Sequence, residues 1–409
     1  MKIYLVGGAV RDQLLDIPSK DKDWVVIGSS TKEMLALGYH QVGADFPVFL
    51  HPESQEEYAL ARTERKKGHG YQGFTCHASP EVTLEEDLLR RDLTINAMAK
   101  DNKGNIIDPY NGQTDLKNKI LRHVSTAFCE DPLRILRVAR FAARFNHRDF
   151  GIAQETIELM SNMVLSGETD YLVPERVWQE TQQALKEKAP WVYFETLQQT
   201  GCLNSLFKEL NILFGIPQPE KHHPEIDCGL HALLSLKAAC NISNKPEVRF
   251  ASLVHDLGKA CTDQSKWPSH HGHEKLGLDP ITQLCTRLKI PNNYKDLALL
   301  ACEYHTHIHK AFELTEKTVL KVLKNCDAFR RPDRFHDLLL CCEADSKGRY
   351  GFEEKAYPQA SFFKEALITA NSITTNDLMA QGFKGKELGI QIDVHRCKKL
   401  KTLSLSYSP

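Results

Sequence analysis

No stretch of this 409-residue chain approaches the ~18 consecutive apolar residues that a membrane helix needs. A membrane-spanning protein is therefore not expected. An excess of one charge is also missing: 52 basic and 53 acidic residues give a formal net charge of -1. That excludes a uniformly basic nucleic-acid binder, but not a local basic patch. None of the twelve cysteines forms a Cys-x-x-Cys pair; only Cys341 and Cys342 are adjacent. A zinc ribbon or disulfide framework is thus disfavoured, and a reducing compartment is favoured. The N-terminal apolar run ends at once in Gly7, Gly8 and Arg11, too early for a signal peptide. Repeats and low-complexity tracts are lacking as well. The expectation is a soluble cytoplasmic protein of two to four domains, at roughly 100–200 residues each.

The present features begin with an α/β segment. Ile3–Val6, Trp24–Ile27, Val48–Leu50 and Tyr58–Ala61 read as strands, and Gly8–Leu15 as a helix. Lys66–Gly73 is rich in Gly and Lys and reads as a loop. From about residue 130 helical periodicity dominates, with breaks at Pro174, Pro190, Gly215–Pro219 and Pro291. Gly215–Pro219 is the clearest linker.

Asp21 and Asp23 stand two apart at the entry to the strand Trp24–Ile27, so a strand conformation presents both carboxylates on one face. Two such groups repel unless a hard cation such as Mg²⁺ lies between them. Glu57 is the candidate third carboxylate. Gly7 and Gly8 lack a Cβ and can approach a phosphate, and Arg11 can reach it from the following helix. Arg90 and Arg91 follow an acidic run, Glu85–Asp87. That arrangement is either a surface ion-pair network or a docked helix with Arg91 facing a nucleotide. In the segment after Asp131-Pro132, Arg134, Arg137, Arg140, Arg144 and Arg148 recur at helical spacing. At about 100° per residue they share one stripe. Such a stripe favours a triphosphate or RNA-backbone partner over a solvated face. Asp131, the expected N-cap, and Arg134 have the acceptor and donor fork needed to read the edge of a base.

Leu5-Val-Gly-Gly-Ala-Val-Arg-Asp12, Asp21-Lys-Asp23, Arg90-Arg-Asp-Leu-Thr-Ile-Asn96 and Glu130-Asp-Pro-Leu-Arg134 together resemble the class II, poly(A)-polymerase-like tRNA nucleotidyltransferases of bacteria. The likeness extends over nearly the whole chain, to the form that appends an HD phosphohydrolase domain. It implies template-independent addition of C, C and A to tRNA from CTP and ATP. It also implies Mg²⁺ on Asp21 and Asp23, and nucleotide contacts from Gly8, Arg11, Arg91, Arg137 and Arg140. Base choice would fall to Asp131 and Arg134, and the Lys66–Gly73 loop would assist the switch to ATP.

His255-Asp256 ends an apolar helical stretch ahead of Gly258-Lys259, in the His…His-Asp…Asp order of HD proteins. His231 fits the upstream ligand and Asp345 is one option for the last. His270, His271, His273 and His305 lie in the same region. Imidazole with carboxylate suits a transition metal better than Mg²⁺, and such a metal can supply hydroxide for phosphoester hydrolysis. The resemblance implies 2′,3′-cyclic phosphodiesterase, 2′-nucleotidase and phosphatase activities, with Ni²⁺ a candidate metal.

The expected organisation is an α/β, polymerase-beta-like nucleotidyltransferase head over 1–125 and a helical neck and body over 126–215. An all-α HD domain over 220–350 and a helical tail over 351–409 follow. The expected partners are tRNA, CTP and ATP, in a monomer or weak homodimer that binds no membrane. The rival readings are a poly(A) polymerase and an HD-type phosphohydrolase whose N-terminal domain only binds RNA.

Overall fold

The computed structural model describes residues 1–19, 22–42, 48–66 and 74–407. Asp21 and residues 67–73 of the expected loop therefore lie outside the described residues. The chain forms two compact units, Met1–Leu206 and Phe207–Pro409.

The first unit is built on a seven-stranded sheet. Its first strands are β1 (Lys2–Val6) and β2 (Asp23–Ile27), on either side of helix α1 (Gly8–Leu14). After helix α2 (Thr31–Ala36) come β3 (His40–Val42), β4 (Val48–Leu50) and β5 (Glu57–Leu60). A separate hairpin, β6 (Arg62–Lys66) with β7 (Phe74–Ala78), precedes helix α3 (Leu84–Leu89). Two short strands, β8 (Ala99–Lys100) and β9 (Ile106–Ile107), complete the sheet in the order β3-β4-β5-β2-β1-β8-β9.

β2 lies at the centre, antiparallel to β1 and parallel to β5. Its unbroken apolar run follows from burial on both faces. Val25 packs with Val6, Leu88 and Ala97, whereas Val26 packs with Met34, Phe49 and Leu60. The expected strands and first helix form within a residue or so of their expected ends. β3 and β6–β9 were not foreseen: β3 is exposed throughout, and β8 and β9 span two residues each, too few for alternation to register.

Helices follow, led by α4 (Gly112–Asn118) and α5 (Leu133–Phe145). Pro174 and Pro190 stand at the first turns of Pro174–Lys186 and Pro190–Gln199, so these prolines start helices after breaking the preceding ones.

The second unit is helical. Cys228–Ile242, Pro246–Val254, Asn292–His309 and Pro332–Lys347 pack on one another through buried residues such as Leu236, Phe250, Leu297 and Leu338. Pro358–Asn371 and Gly385–Ser406 pack together within the same unit. Gly215–Pro219 is no solvated linker. Pro217 bridges Asp227, Gln218 N–H donates to Ile226 O at 2.7 Å, and Gln218 is 2% exposed. Proline and glycine mark a bend here, and backbone hydrogen bonds close it.

Candidate active sites

In the first unit, Val6 pairs with Asp23 and Asp23 pairs with Glu57. Directly opposed residues share a face, so Asp23 and Glu57 place two carboxylates side by side where the β1 chain turns into α1. That turn needs glycine. Gly7 has φ of 69°, and a Cβ there would come within 2.6 Å of the Arg91 guanidinium. The bare backbone thus lets Arg91 lie over the turn.

Asp23 lines a cleft of about 670 Å³ with Gly7 and Gly8. Among the described residues nine arginines line it too, including Arg11, Arg91, Arg134, Arg137 and Arg140, against the three aspartates Asp23, Asp92 and Asp131. Glu57 lines an adjoining recess of about 210 Å³, which shares Asp23, Arg62, Arg90 and Arg91. All the nucleotide-site residues expected from the sequence, apart from Asp21, are thereby gathered around these two spaces.

The expected stripe is not carried by one helix: α5 ends at Phe145, and Arg148 stands on the 3-10 turn that follows. Its arginines are relieved by acceptors, most of them from distant segments. Arg137 Nε donates to Asp92 at 2.8 Å, Arg140 Nε to Glu180 at 2.7 Å, and Arg144 to Asp12 at 3.2 Å. Arg148 donates to Leu15 O at 3.2 Å, and Arg134 to Ala127 O. Helical spacing exposes one face of one helix and says nothing of what packs against it. Burial opposes the charge of Asp92, but the Arg137 guanidinium and the Asn96 amide outweigh it and hold the carboxyl well below the usual range. Arg11 is 2% exposed; it is held by Asp12 at 2.7 Å and lies 5.1 Å from the Phe141 ring centroid. Arg140 lies 4.8 Å from the same ring. Of the alternatives for the double arginine, the acidic partner is Asp87, 2.6 Å from Arg90 and 3.4 Å from Arg91. Asp87 is buried, so this is an anchored pair, not a surface network.

Helix α5 starts one residue later than expected, with Asp131 Oδ1 accepting from Leu133 N–H at 3.0 Å. Its Oδ2 accepts from Arg176 at 3.0 Å. Asp92, Asn96, Phe141, Arg176 and Glu180 were not singled out from the sequence. Only Asp92 and Asn96 carried a signal, their four-residue spacing within the Arg90–Asn96 motif.

In the second unit His231, His255, Asp256 and Asp345 meet in a buried cluster. His231 Nε2 lies 3.0 Å from Asp345 Oδ1 and 3.8 Å from Asp256 Oδ2. His255 Nε2 lies 3.2 Å from Asp256 and 3.5 Å from Asp345. His273 and His305 join them, with Nε2 atoms 3.3 and 3.6 Å from Asp256 Oδ1. His270 does not; its ring nitrogens meet Thr262 and Pro217 O. His271 is exposed.

The inner ring atoms share one orientation. Nδ1 of His231, His255, His273 and His305 faces the carbonyl oxygens of Gly348, Ser252, His270 and Ala301. A carbonyl can only accept, so each Nδ1 carries the proton and each Nε2 turns a lone pair inward. Among the described residues His255 Nε2 and Asp256 Oδ1 are buried without a hydrogen-bond partner. Burial opposes the charge of Asp256 and Asp345, yet the Lys259 ammonium holds the first ionised and the Arg349 guanidinium the second. Inward lone pairs, two carboxylates and two orphaned acceptors fit a divalent transition metal. Gly258 permits this packing, because a Cβ there would collide with His273 O. His309, 2.6 Å from Asp345, and Tyr357, 2.8 Å from His309, were not foreseen.

No helix of the described residues is long and apolar enough to cross a membrane. Family models match three segments. The poly A polymerase head domain matches 3–122, the probable RNA and SrmB-binding site of polymerase A matches 149–213, and the HD domain matches 229–331. The chain is 57% identical over 409 residues to the multifunctional CCA protein of Teredinibacter turnerae, covering 100% of both. It is 56% identical to that of Hahella chejuensis, covering 100% of this chain and 97% of the relative. In fold it is similar to a Thermotoga maritima CCA-adding enzyme complexed with tRNA (TM-score 0.64, 21% identity, 98% of this chain and 87% of the other). A CCA-adding enzyme in complex with ATP gives a TM-score of 0.65 at 22% identity, over 99% of this chain and 89% of the other.

Proposed function

Because this chain belongs to the multifunctional CCA proteins, we propose that it adds and repairs the 3′-terminal CCA of tRNA from CTP and ATP, without a nucleic-acid template. The observation that carries this is the pairing of Asp23 with Glu57 beside an arginine-lined cleft. Asp23, with Asp21, would hold Mg²⁺, for which an all-oxygen donor set is suited; the ion would supply charge stabilisation at the reacting phosphate. The terminal tRNA hydroxyl attacks the α-phosphorus of the nucleotide, a P–O bond forms, and pyrophosphate leaves. Gly8, Arg11, Arg91, Arg137 and Arg140 position the triphosphate, and Glu57 completes the carboxylate set. Asp131 and Arg134 select the base. Each is already held, by Arg176 and by Ala127 O, so their orientation is set before a nucleotide arrives. Purified protein given tRNA lacking CCA and labelled CTP alone should add two C residues. Failure to do so sinks the reading, and long A tails from ATP alone would favour a poly(A) polymerase.

For the second unit we propose metal-dependent 2′,3′-cyclic phosphodiesterase, 2′-nucleotidase and phosphatase activity, with Ni²⁺ the candidate metal. His231, His255, Asp256 and Asp345 would hold it, and metal-bound water would supply the hydroxide. Titrating metal-stripped protein with Ni²⁺, Mn²⁺ and Mg²⁺ while following 2′,3′-cyclic nucleotide hydrolysis tests this; equal activity without metal would overturn it. We place the enzyme in the cytoplasm as a monomer or weak homodimer, which sedimentation at several concentrations would test.

A further inference from the structure

Glu225 lies upstream of the HD family match, yet reaches its first histidine. Its side chain is fully buried, with Oε1 3.0 Å from Nδ1 of His231. The same oxygen accepts from His223 Nδ1 at 3.0 Å and from the Gln218 amide at 3.1 Å. Oε2 is buried without a hydrogen-bond partner among the described residues. Burial opposes the charge of Glu225, but the hydrogen bonds from His223 and His231 overcome it and keep the carboxyl well below its usual range. Burial likewise drives the His223 pKa down to about 3. A neutral His223 therefore donates to an ionised Glu225.

Gln218 extends the contact to the other side of the cluster. Its Nε2 donates to Glu225 while its Oε1 accepts from Lys259 Nζ at 2.7 Å. Lys259 Nζ in turn lies 2.7 Å from Asp256 Oδ2. The amide has one donor end and one acceptor end, and each faces the partner it needs. Glu225 is thus linked directly to His231 and, through Gln218 and Lys259, to Asp256.

We infer that Glu225 is a positioning residue for the metal site, fixing His231 as the Nδ1–H tautomer and raising the basicity of its inward Nε2. A carboxylate behind a metal-bound imidazole does both, and removing such a partner typically lowers metal affinity about 10–100-fold. The inference rests on the reading of this cluster as a metal site. The Gly348 carbonyl, 3.2 Å from the same Nδ1, can hold the tautomer in part but carries no charge.

The test measures Ni²⁺ affinity of the metal-stripped full-length chain by competition with a chromogenic chelator. Wild type, Glu225→Ala, Glu225→Gln and His255→Ala are compared. In the Co²⁺-loaded forms, the paramagnetically shifted exchangeable Nδ1–H resonance of His231 is also followed, identified by its loss in His231→Asn. Glu225→Ala should bind Ni²⁺ about 10–100-fold more weakly and lose or displace that resonance. Glu225→Gln keeps an acceptor oxygen and should fall between Ala and wild type. Should Glu225→Ala fail to fold, Glu225→Gln decides. Binding within twofold of wild type, with an unmoved resonance, overturns the inference. If wild type and His255→Ala bind Ni²⁺ equally weakly, the metal-site reading itself fails, an outcome distinct from an intact site indifferent to Glu225.

Discussion

The Nε2 atoms of His273 and His305 face each other at 3.1 Å, although 32 residues separate them in the sequence. Both rings turn Nδ1 to a backbone carbonyl, of His270 and of Ala301. Two lone pairs so placed repel unless a proton or a metal ion lies between them. Replacing either residue by Ala should weaken Ni²⁺ binding by the full-length chain about tenfold or more. Calorimetric titration of the stripped protein would show it. Unchanged affinity in both variants would remove these residues from the site.

At the other site the carboxylates should be separable from the hydrolytic cluster. Asp23→Ala removes one of the paired groups and should lower nucleotide addition about a thousand-fold. Electrostatic stabilisation by a bound metal contributes several kcal/mol, and each ~1.4 kcal/mol is tenfold in rate. Glu57→Ala should slow addition less, because Glu57 lines only the adjoining recess. Both variants should keep cyclic-phosphate hydrolysis, whereas His255→Ala should do the reverse. A single-turnover primer-extension assay run beside a hydrolysis assay makes the comparison, and joint loss in any one variant would contradict separate sites.

Base choice gives a third test. Asp131→Ala removes an acceptor that Arg176 holds at 3.0 Å. Discrimination of CTP against UTP should fall about 10–100-fold, since a well-made base contact contributes about 1–3 kcal/mol. The ratio of kcat/KM values reads it. An unchanged ratio with a lower rate would make Asp131 a helix cap alone.

Asp92 links the fold to acidity. Its carboxyl is held below the usual range by Arg137 and Asn96. A depressed acid contributes stability above its unfolded pKa, about 3.9, and loses that contribution as pH falls toward the folded value. Asp92→Asn should therefore lower Tm at pH 7 and lower it progressively less below about pH 4. Scanning calorimetry across that range checks the sign. A Tm gap as large at pH 3 as at pH 7 would separate Asp92's charge from its stability.

These contacts also explain what could be read before the fold was known. Val25 and Val26 mark β2 as a central strand because both faces are packed, and that shows as an unbroken apolar run. Asp23, Arg137 and His255 stand in compact local motifs; the first two line one cleft of the first unit, and His255 lies in the buried cluster of the second. Arg137 and Asp92 are 45 residues apart, and Arg140 and Glu180 are 40, so no periodicity could announce either pair. The arginine stripe therefore read as unrelieved. Asp345 was only one option, because the helix that carries it shows nothing of His231, 114 residues away. Gln218 was hidden differently. Its Pro and Gly neighbours read as a linker, though a closed bend buries it.

That closed bend bears on how the protein can be taken apart. The HD family match spans 229–331. A fragment cut to those limits would keep His231, His255, Asp256, His273 and His305. It would omit Asp345 on one side and Gln218 with Glu225 on the other. Such a fragment would own most of the ligands and little of what aims them. A fragment that begins at Phe207, where the second unit begins, and runs past Tyr357 keeps both the ligands and the groups that aim them.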